Sequence, residues 1–132
     1  MFARYLLLAS LILAGCSKPK PAPEADQTTS QPAAATPDVE KGKEVFNQRC
    51  VPCHGSTGHG DGPASASLNP KPRKFADGNW QAQVTDDYIE KIIQLGGAAV
   101  GKSPAMPSNP DLQSQPQVVA GLRTVVRGFR PN

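Results

Sequence analysis

Apolar residues recur every three to four positions in three parts of this 132-residue chain, and this period predicts amphipathic helices. The predicted helices cover about residues 38–49, 86–95 and 115–127. Residues 55–84 are interrupted by many Gly and Pro and are predicted to form a long loop. No segment alternates apolar and polar residues as a half-buried strand would. The pattern therefore predicts an all-α fold of three or more helices.

Candidate capping residues flank each predicted helix. Thr36, Thr85 and Ser114 are candidate N-caps of the first, second and third helices, because their hydroxyls can accept from free backbone N–H groups. Gly96 and Gly97 are expected to end the second helix. The spacing in the first helix places five residues near one face: Val39, Gly42, Val45, Phe46 and Arg49.

The start of the chain has the composition of a targeting segment. A positive charge at Arg4 precedes an apolar run over residues 5–14. This run is shorter than the about 20 residues that a membrane-spanning helix needs, and it is typical of an export signal. It ends in Leu-Ala-Gly-Cys at residues 13–16, which resembles the lipobox of bacterial lipoproteins. An ordinary secretory signal followed by an unrelated Cys is the alternative.

The lipobox resemblance implies that residues 1–15 are a lipoprotein signal peptide and that Cys16 is lipidated. Ser17 stands where an Asp would retain the protein at the inner membrane, so the outer membrane is favoured. Residues 16–37 are rich in Pro, Ala, Gln and Thr and have almost no large apolar side chains, which predicts a flexible tether. The remaining residues, 38–132, are predicted to form one small domain.

The strongest chemical signal is Cys-Val-Pro-Cys-His at residues 50–54, which has the pattern C-x-x-C-H. This pattern is the attachment signature of c-type haem. Two thiols three positions apart, Cys50 and Cys53, can each form a thioether with one of the two vinyl groups of a porphyrin. The adjacent His54 can then ligate the iron. The motif therefore predicts one covalently bound haem c.

Other sites that use paired cysteines fit this chain less well. A thioredoxin-like redox pair needs a βαβ setting, and no strand-like run flanks the motif. A structural zinc site needs four N or S ligands, but the only other Cys is Cys16 and the only other His is His59. A disulfide would strain so short a loop. Haem at Cys50 and Cys53 and lipid at Cys16 account for all three cysteines.

A haem with two protein ligands needs a second axial residue, and His59, Met106 and a few lysines are the candidates. His59 follows His54 too closely for the chain to carry it easily to the opposite face of a porphyrin, so it is expected to be an exposed loop residue. Met106 lies between Pro104 and Pro107 in a loop before the third helix. Met ligation raises the reduction potential of haem. The alternative is that Met106 fills a gap in the core.

Together these features resemble the class I cytochromes c over most of residues 38–132. The resemblance rests on a first helix that ends in the haem motif, on Gly-Asp-Gly-Pro at residues 60–63, and on a Met-Pro loop before a closing helix. It implies a compact all-α fold around one haem, with His54 and Met106 as the two axial ligands.

The resemblance also implies one helix–helix contact and one hydrogen bond. The first and last helices are expected to cross, and on the first helix the contact lies near Gly42 and Phe46. On the last helix the contact surface is expected around Leu122 and Val125. A backbone carbonyl near Pro63 is expected to accept a hydrogen bond from the axial imidazole and to fix its orientation.

Charge narrows the choice of partners. The chain has 14 Lys and Arg against 11 Asp and Glu, a formal net charge of +3. No basic stripe with interleaved aromatic residues is present, which argues against nucleic-acid binding. Lys71, Arg73 and Lys74 form a small basic cluster, which is either a solvated loop or a docking patch for an acidic redox partner. Trp80 is expected either at the haem edge or in the core.

The sequence therefore predicts a monomeric, monohaem electron-transfer protein rather than an enzyme. It is expected to carry single electrons between donor and acceptor proteins outside the cytoplasm, anchored by lipid at Cys16 to a bacterial membrane and facing the periplasm. No residue is identified as a catalytic acid, base or nucleophile. Two alternatives remain: a fixed haem subunit of a larger oxidase or dehydrogenase, and a haem sensor or enzyme with an open distal site.

Overall fold

The computed structural model of the protein describes residues 35–132. The predicted signal peptide, Cys16 and most of the predicted tether lie outside the described residues. Within residues 35–132 the fold is all-α and contains no strand, which confirms the predicted fold class. No helix in this part of the chain has both the length and the apolar character needed to cross a membrane. The α-helices are α1 at Val39–Val45, α2 at Val51–His54, α3 at Gly78–Gln83, α4 at Asp86–Leu95 and α5 at Pro116–Arg127.

One continuous helix carries the C-x-x-C-H motif. It consists of α1, a single π turn at Phe46–Cys50, and α2. The N–H of Val51 closes the π turn by donating to the carbonyl oxygen of Phe46. The helix ends at Gly55, whose φ of 77° lies in the left-handed region that glycine adopts freely. The motif is thus held inside the helix, and the predicted end at residue 49 was too early.

The first helix differs from its prediction in two further details. Asp38, not Thr36, caps α1, because its carboxylate accepts from the N–H of Lys41 at 2.9 Å. Arg49 does not share the buried face of Gly42, Val45 and Phe46, although the five residues were predicted to lie near one face. It is exposed, because the π turn holds one residue more than a regular turn and displaces Arg49 from the apolar stripe.

The second predicted helix corresponds to α4 at both ends. The hydroxyl of Thr85 accepts from the N–H of Tyr88 at 3.2 Å, and the helix ends at Gly96, where φ is 77°. The third predicted helix corresponds to α5, but Ser114 does not cap it. The Ser114 hydroxyl instead donates to the carbonyl oxygen of Asp111 at 3.2 Å, in the 3₁₀ turn that precedes the helix.

Helix α3 lies in the segment that was predicted to be a loop throughout. Its cap is Asp77, whose carboxylate accepts from the N–H groups of Asn79 at 3.0 Å and Trp80 at 3.2 Å. The helix has only six residues, which is too few for an apolar period to be visible. Asp77 before Gly78 was the one local signal for this helix.

The expected crossing of the first and last helices is confirmed. A Cβ atom added to Gly42 of α1 would lie 2.5 Å from the carbonyl carbon of Gly121 and 2.7 Å from the nitrogen of Leu122 in α5. The two backbones can touch only because both helices have glycine at the contact. Around this crossing lies the hydrophobic core, which consists of Val45, Phe46, Phe75, Ile89, Ile93, Leu112, Val118, Val119, Leu122 and Val126.

Candidate functional site

A cavity of about 1290 Å³ opens beside the core. Cys50, Cys53 and His54 line it from the motif helix, and Met106 lines it from the loop between α4 and α5. The structure therefore brings the four candidate haem residues to one cavity. Most of the other lining side chains are apolar, among them Phe46, Phe75, Trp80, Val84, Ile89, Ile92, Ile93, Val100, Leu122 and Val126.

His54 is buried, with 8% of its surface exposed, and its ring orientation is fixed by one hydrogen bond. Its Nδ1 lies 3.0 Å from the carbonyl oxygen of Arg73, which can only accept, so Nδ1 carries the proton and donates. Burial lowers the pKa of His54, since desolvation disfavours the charged ring, while the bond to Arg73 acts in the opposite direction. The imidazole is thus neutral at neutral pH, and Nε2 has a free lone pair.

The partner of His54 differs from the expectation. The accepting carbonyl belongs to Arg73 rather than to a residue near Pro63. The long segment between them returns to the motif helix and places its own backbone beside the imidazole. The sequence contains no signal for this contact, because every residue of a loop has a backbone carbonyl that could accept the bond.

Phe75 is a site residue that the sequence analysis did not identify. Its ring stacks on the His54 ring, with centroids 4.3 Å apart and planes inclined by 11°. Its backbone N–H donates to the carbonyl oxygen of Gly58 at 2.6 Å. The segment from Arg73 to Phe75 thus contacts His54 both at the ring edge and on the ring face.

Cys50 and Cys53 are half-buried and are not joined by a disulfide. Burial raises the pKa of the Cys50 thiol to about 11. Both sulfur atoms belong to residues that line the cavity, so they are available to a group bound there.

The loop that carries Met106 is fixed by its backbone to the end of α4. The carbonyl oxygen of Met106 accepts from the N–H of Gly97 at 3.0 Å, and its N–H donates to the carbonyl oxygen of Ser103 at 3.2 Å. A Cβ atom on Gly96 would lie 2.7 Å from the nitrogen of Ser108, so the loop closes against a bare glycine. Met106 is half-buried and does not belong to the hydrophobic core of the described residues.

Arg49 joins the motif helix to the chain that follows Met106. Its guanidinium forms two parallel bonds of 3.0 Å with the Asp111 carboxylate and one of 3.2 Å with the side-chain oxygen of Asn109. Asn109 in turn donates from its side chain to the carbonyl oxygen of Ile93 at 2.7 Å. The Arg49 guanidinium holds the pKa of Asp111 below its ordinary value. These contacts tie together the two segments that supply His54 and Met106.

The other candidate residues have separate positions. His59 is exposed and does not line the cavity, and its Nδ1 lies 3.0 Å from the Thr57 hydroxyl oxygen. Trp80 lines the cavity and its ring centroid lies 5.7 Å from that of Phe75, so it is both a cavity residue and a neighbour of the core. The ammonium group of Lys71 donates to the carbonyl oxygens of two residues of its own loop, at 2.9 and 3.0 Å.

Charge is distributed unevenly around the cavity. The charged residues that line it are all cationic, and no Asp or Glu of the described part of the chain is among the lining residues. The cationic rim, as we call this set, consists of Arg49, Lys71, Arg73, Lys74 and Lys102. Such a rim suits a bound group that has an apolar body and anionic substituents, and it suits an acidic protein surface.

The lining residues fit a haem. The apolar walls suit the flat face of a porphyrin, two free thiols lie within one helical segment, and the neutral imidazole of His54 has an available Nε2. The thioether of Met106 is a neutral sulfur ligand on the same cavity, and the cationic rim suits carboxylate substituents such as propionates.

Comparisons with known proteins agree with this fit. The model of the cytochrome c family matches residues 39–120 of the chain. The structure is similar to that of the KustC0563 c-type cytochrome, with a TM-score of 0.52 and 33% sequence identity over 68% of this chain and 98% of that chain. The chain belongs to the cytochrome c family, and its cofactor is covalently bound haem c.

Proposed function

We propose that this protein is a carrier of single electrons between two redox proteins, with His54 and Met106 as its axial ligands. Membership of the cytochrome c family makes it an electron-transfer haem protein. The observation that carries the proposal is that both candidate ligands line one apolar cavity with the two thiols of the motif. When bound, the haem supplies a single-electron couple at its iron.

The residues around both ligands support a carrier rather than a catalyst. His54 is oriented by Arg73, and the backbone of Met106 is bonded on both sides. An imidazole and a loop backbone held in this way need little rearrangement when the charge of the site changes, which favours fast electron transfer. The walls of the cavity are mostly apolar, and in the part of the chain that the structure describes no Asp or Glu that could act as a general base lines them.

The optical spectrum of the ferric holoprotein tests the ligation. Sulfur bound to ferric haem gives a weak far-red absorption band, and we expect this band in the wild type and in His59→Ala but not in Met106→Ala. Ferrous Met106→Ala should bind carbon monoxide, and the wild type should not. A wild type that lacks the band and binds carbon monoxide readily would contradict the carrier function and favour a sensor or an enzyme.

The proposal includes attachment to a membrane through lipid on Cys16, outside the cytoplasm and facing the periplasm. Its support is the Leu-Ala-Gly-Cys sequence at residues 13–16 and the composition of residues 16–37, which suits a tether. Metabolic labelling with a fatty acid should mark the wild type and not Cys16→Ser. Ser17→Asp should move the labelled protein from the outer to the inner membrane fraction. An unlabelled wild type would favour an ordinary secretory signal.

The cationic rim supports an acidic contact face on at least one redox partner. Opposite charges on two proteins increase the rate at which they meet and favour one orientation. Lys71 also braces its own loop, so Lys74 and Lys102, which are exposed, are the rim residues most available for this role. A permanent subunit of a larger complex would instead copurify with its partner in stoichiometric amounts.

A further inference from the structure

Gln81 of α3 is a buried polar side chain whose three hydrogen bonds use both ends of its amide. Only 2% of its surface is exposed. Its Nε2 donates to the carbonyl oxygens of Phe75 and Val126, both at 2.9 Å, and its Oε1 accepts from Arg127 at 3.0 Å. Burial of an amide is unfavourable unless all its groups are paired, so this position is specified closely by its neighbours.

Arg127 determines which way the Gln81 amide points. The same guanidinium donates to the carbonyl oxygens of Gln81 at 2.9 Å and Val84 at 2.7 Å, and to the Asp86 carboxylate at 2.8 Å. Four bonds hold it in one place beside α3. Because a guanidinium can only donate, the oxygen of the amide must face Arg127, and the NH₂ group must face Phe75.

The bond from Gln81 to Phe75 reaches the segment that contacts His54. The Phe75 carbonyl oxygen accepts from Gln81, and the Phe75 ring stacks on the imidazole. Two residues earlier, the Arg73 carbonyl oxygen accepts from His54 Nδ1. One side chain in α3 thus anchors the short stretch of backbone that touches the imidazole on its edge and its face.

We propose that Gln81 is a positioning residue for His54, which keeps the Arg73 carbonyl oxygen in hydrogen-bond distance of Nδ1. The inference rests on the proposed function, in which His54 ligates the iron. A hydrogen bond to the second nitrogen of a ligating imidazole makes it a stronger electron donor and so stabilises the oxidised metal. Gln81 therefore contributes to the reduction potential without touching the haem.

The test uses the holoprotein and the variant Gln81→Met, which retains the length of the side chain and removes its donors. We expect a higher reduction potential, because a weaker bond to Arg73 leaves the oxidised form less stabilised. We also expect the Nδ1 proton of His54, followed by NMR in the ferrous protein, to exchange with solvent at least tenfold faster. Leu112→Ala is the control, since it removes buried volume from the core without removing any of these hydrogen bonds.

Arg127→Lys is the second variant, for the case that Gln81→Met does not fold. It retains the positive charge beside Asp86 and loses the branched donor that orients Gln81, so a smaller change in the same direction is expected. Wild-type potential and exchange in the variants that fold would overturn the inference and leave Gln81 a structural residue. A wild-type holoprotein without the NMR signals of an axial histidine would instead contradict the ligation itself.

Discussion

At the scale of single residues, the core and the cavity of this protein share their side chains. Within residues 35–132, six of the ten core residues also line the cavity: Phe46, Phe75, Ile89, Ile93, Leu122 and Val126. Each therefore has one surface against its neighbours and another toward the haem site. Packing and cofactor binding are therefore linked, because a change in the volume of one of these side chains alters both the core and the wall of the cavity.

Leu112 and Leu95 provide a matched pair for the contribution of core packing. Leu112 is 1% exposed and Leu95 is 39% exposed. Leu112→Ala should lower the free energy of unfolding by about 2–5 kcal/mol, because it leaves a cavity in the core. Leu95→Ala should change it by less than about 1 kcal/mol. Guanidinium unfolding of the two holoproteins measures both values, and equal losses would contradict the assignment of Leu112 to the core.

At the scale of elements, two contacts join parts of the chain that are distant in sequence. The crossing of Gly42 and Gly121 brings α1 against α5, and the Arg49–Asp111 pair joins the motif helix to the turn before α5. The crossing depends on the absence of side chains, whereas the pair depends on complementary charge. The crossing should therefore be sensitive to added side-chain volume, and the pair should be sensitive to pH.

Gly42→Ala tests the helix crossing. The new methyl group would lie 2.5 Å from the Gly121 backbone, so the helices must separate, at a cost of about 1–3 kcal/mol in the free energy of unfolding. Gly128→Ala is the control, since its Cβ would lie no closer than 3.3 Å to any neighbour. Chemical denaturation measures the free energy of unfolding of both variants. Equal values for Gly42→Ala and the wild type would mean that the helices can move apart freely.

The Arg49–Asp111 pair predicts that the stability of the fold depends on pH. Because the pKa of Asp111 is lowered in the folded protein, its ionised form stabilises the fold above the ordinary value of 3.8, and this stabilisation is lost as the pH falls through the lowered pKa. Asp111→Asn should melt below the wild type at neutral pH, and the difference should shrink in acid. In a protein that already has Arg49→Gln, adding Asp111→Asn should cause no such pH-dependent difference in melting temperature. A difference that stays constant into strong acid would contradict the prediction.

The elements also show what the sequence could and could not predict. Helix α4 was predicted at both ends because Thr85 and Gly96 are local signals at its bounds. The C-x-x-C-H motif predicted the cofactor, because its spacing follows from the chemistry of attachment. Arg73 and Gln81 could not be predicted, since they act through a loop carbonyl and a buried amide whose partners are fixed only by tertiary contacts.

At the scale of the whole molecule, cationic side chains are concentrated at the cavity although the net charge is small. The chain has a formal net charge of only +3, yet the charged residues that line the cavity in the described part of the chain are all cationic. Two of these cations have a carboxylate partner, Arg49 with Asp111 and Arg73 with Asp77, and Asp86 and Glu90 of α4 pair with arginines of α5. Among the described residues, the cavity-lining cations without an ion pair are Lys71, Lys74 and Lys102. A charged reaction partner should therefore be attracted to one side of the protein.

The oxidation rate with hexacyanoferrate(III), a small trianion, tests this attraction. The rate should fall as ionic strength rises, because salt screens the attraction. Lys74→Glu on the cationic rim should slow the reaction at low salt more than Lys91→Glu does. Lys91 is exposed and does not line the cavity. Lys91→Glu therefore makes the same change in net charge at a position away from the cavity. Equal slowing by both variants would mean that only the net charge matters.

The π turn at Phe46–Cys50 has a consequence for how the length of this helix can vary. An α-helix advances about 100° per residue, and a π turn holds one residue more than the regular turn it replaces. Deleting Asn47, which is exposed, would make the helix regular and leave Gly42 and His54 on one face. Adding an alanine after Gln48 would rotate His54 by about 100° away from the cavity. The haem site should therefore tolerate the loss of a residue at this position, but not the gain of one.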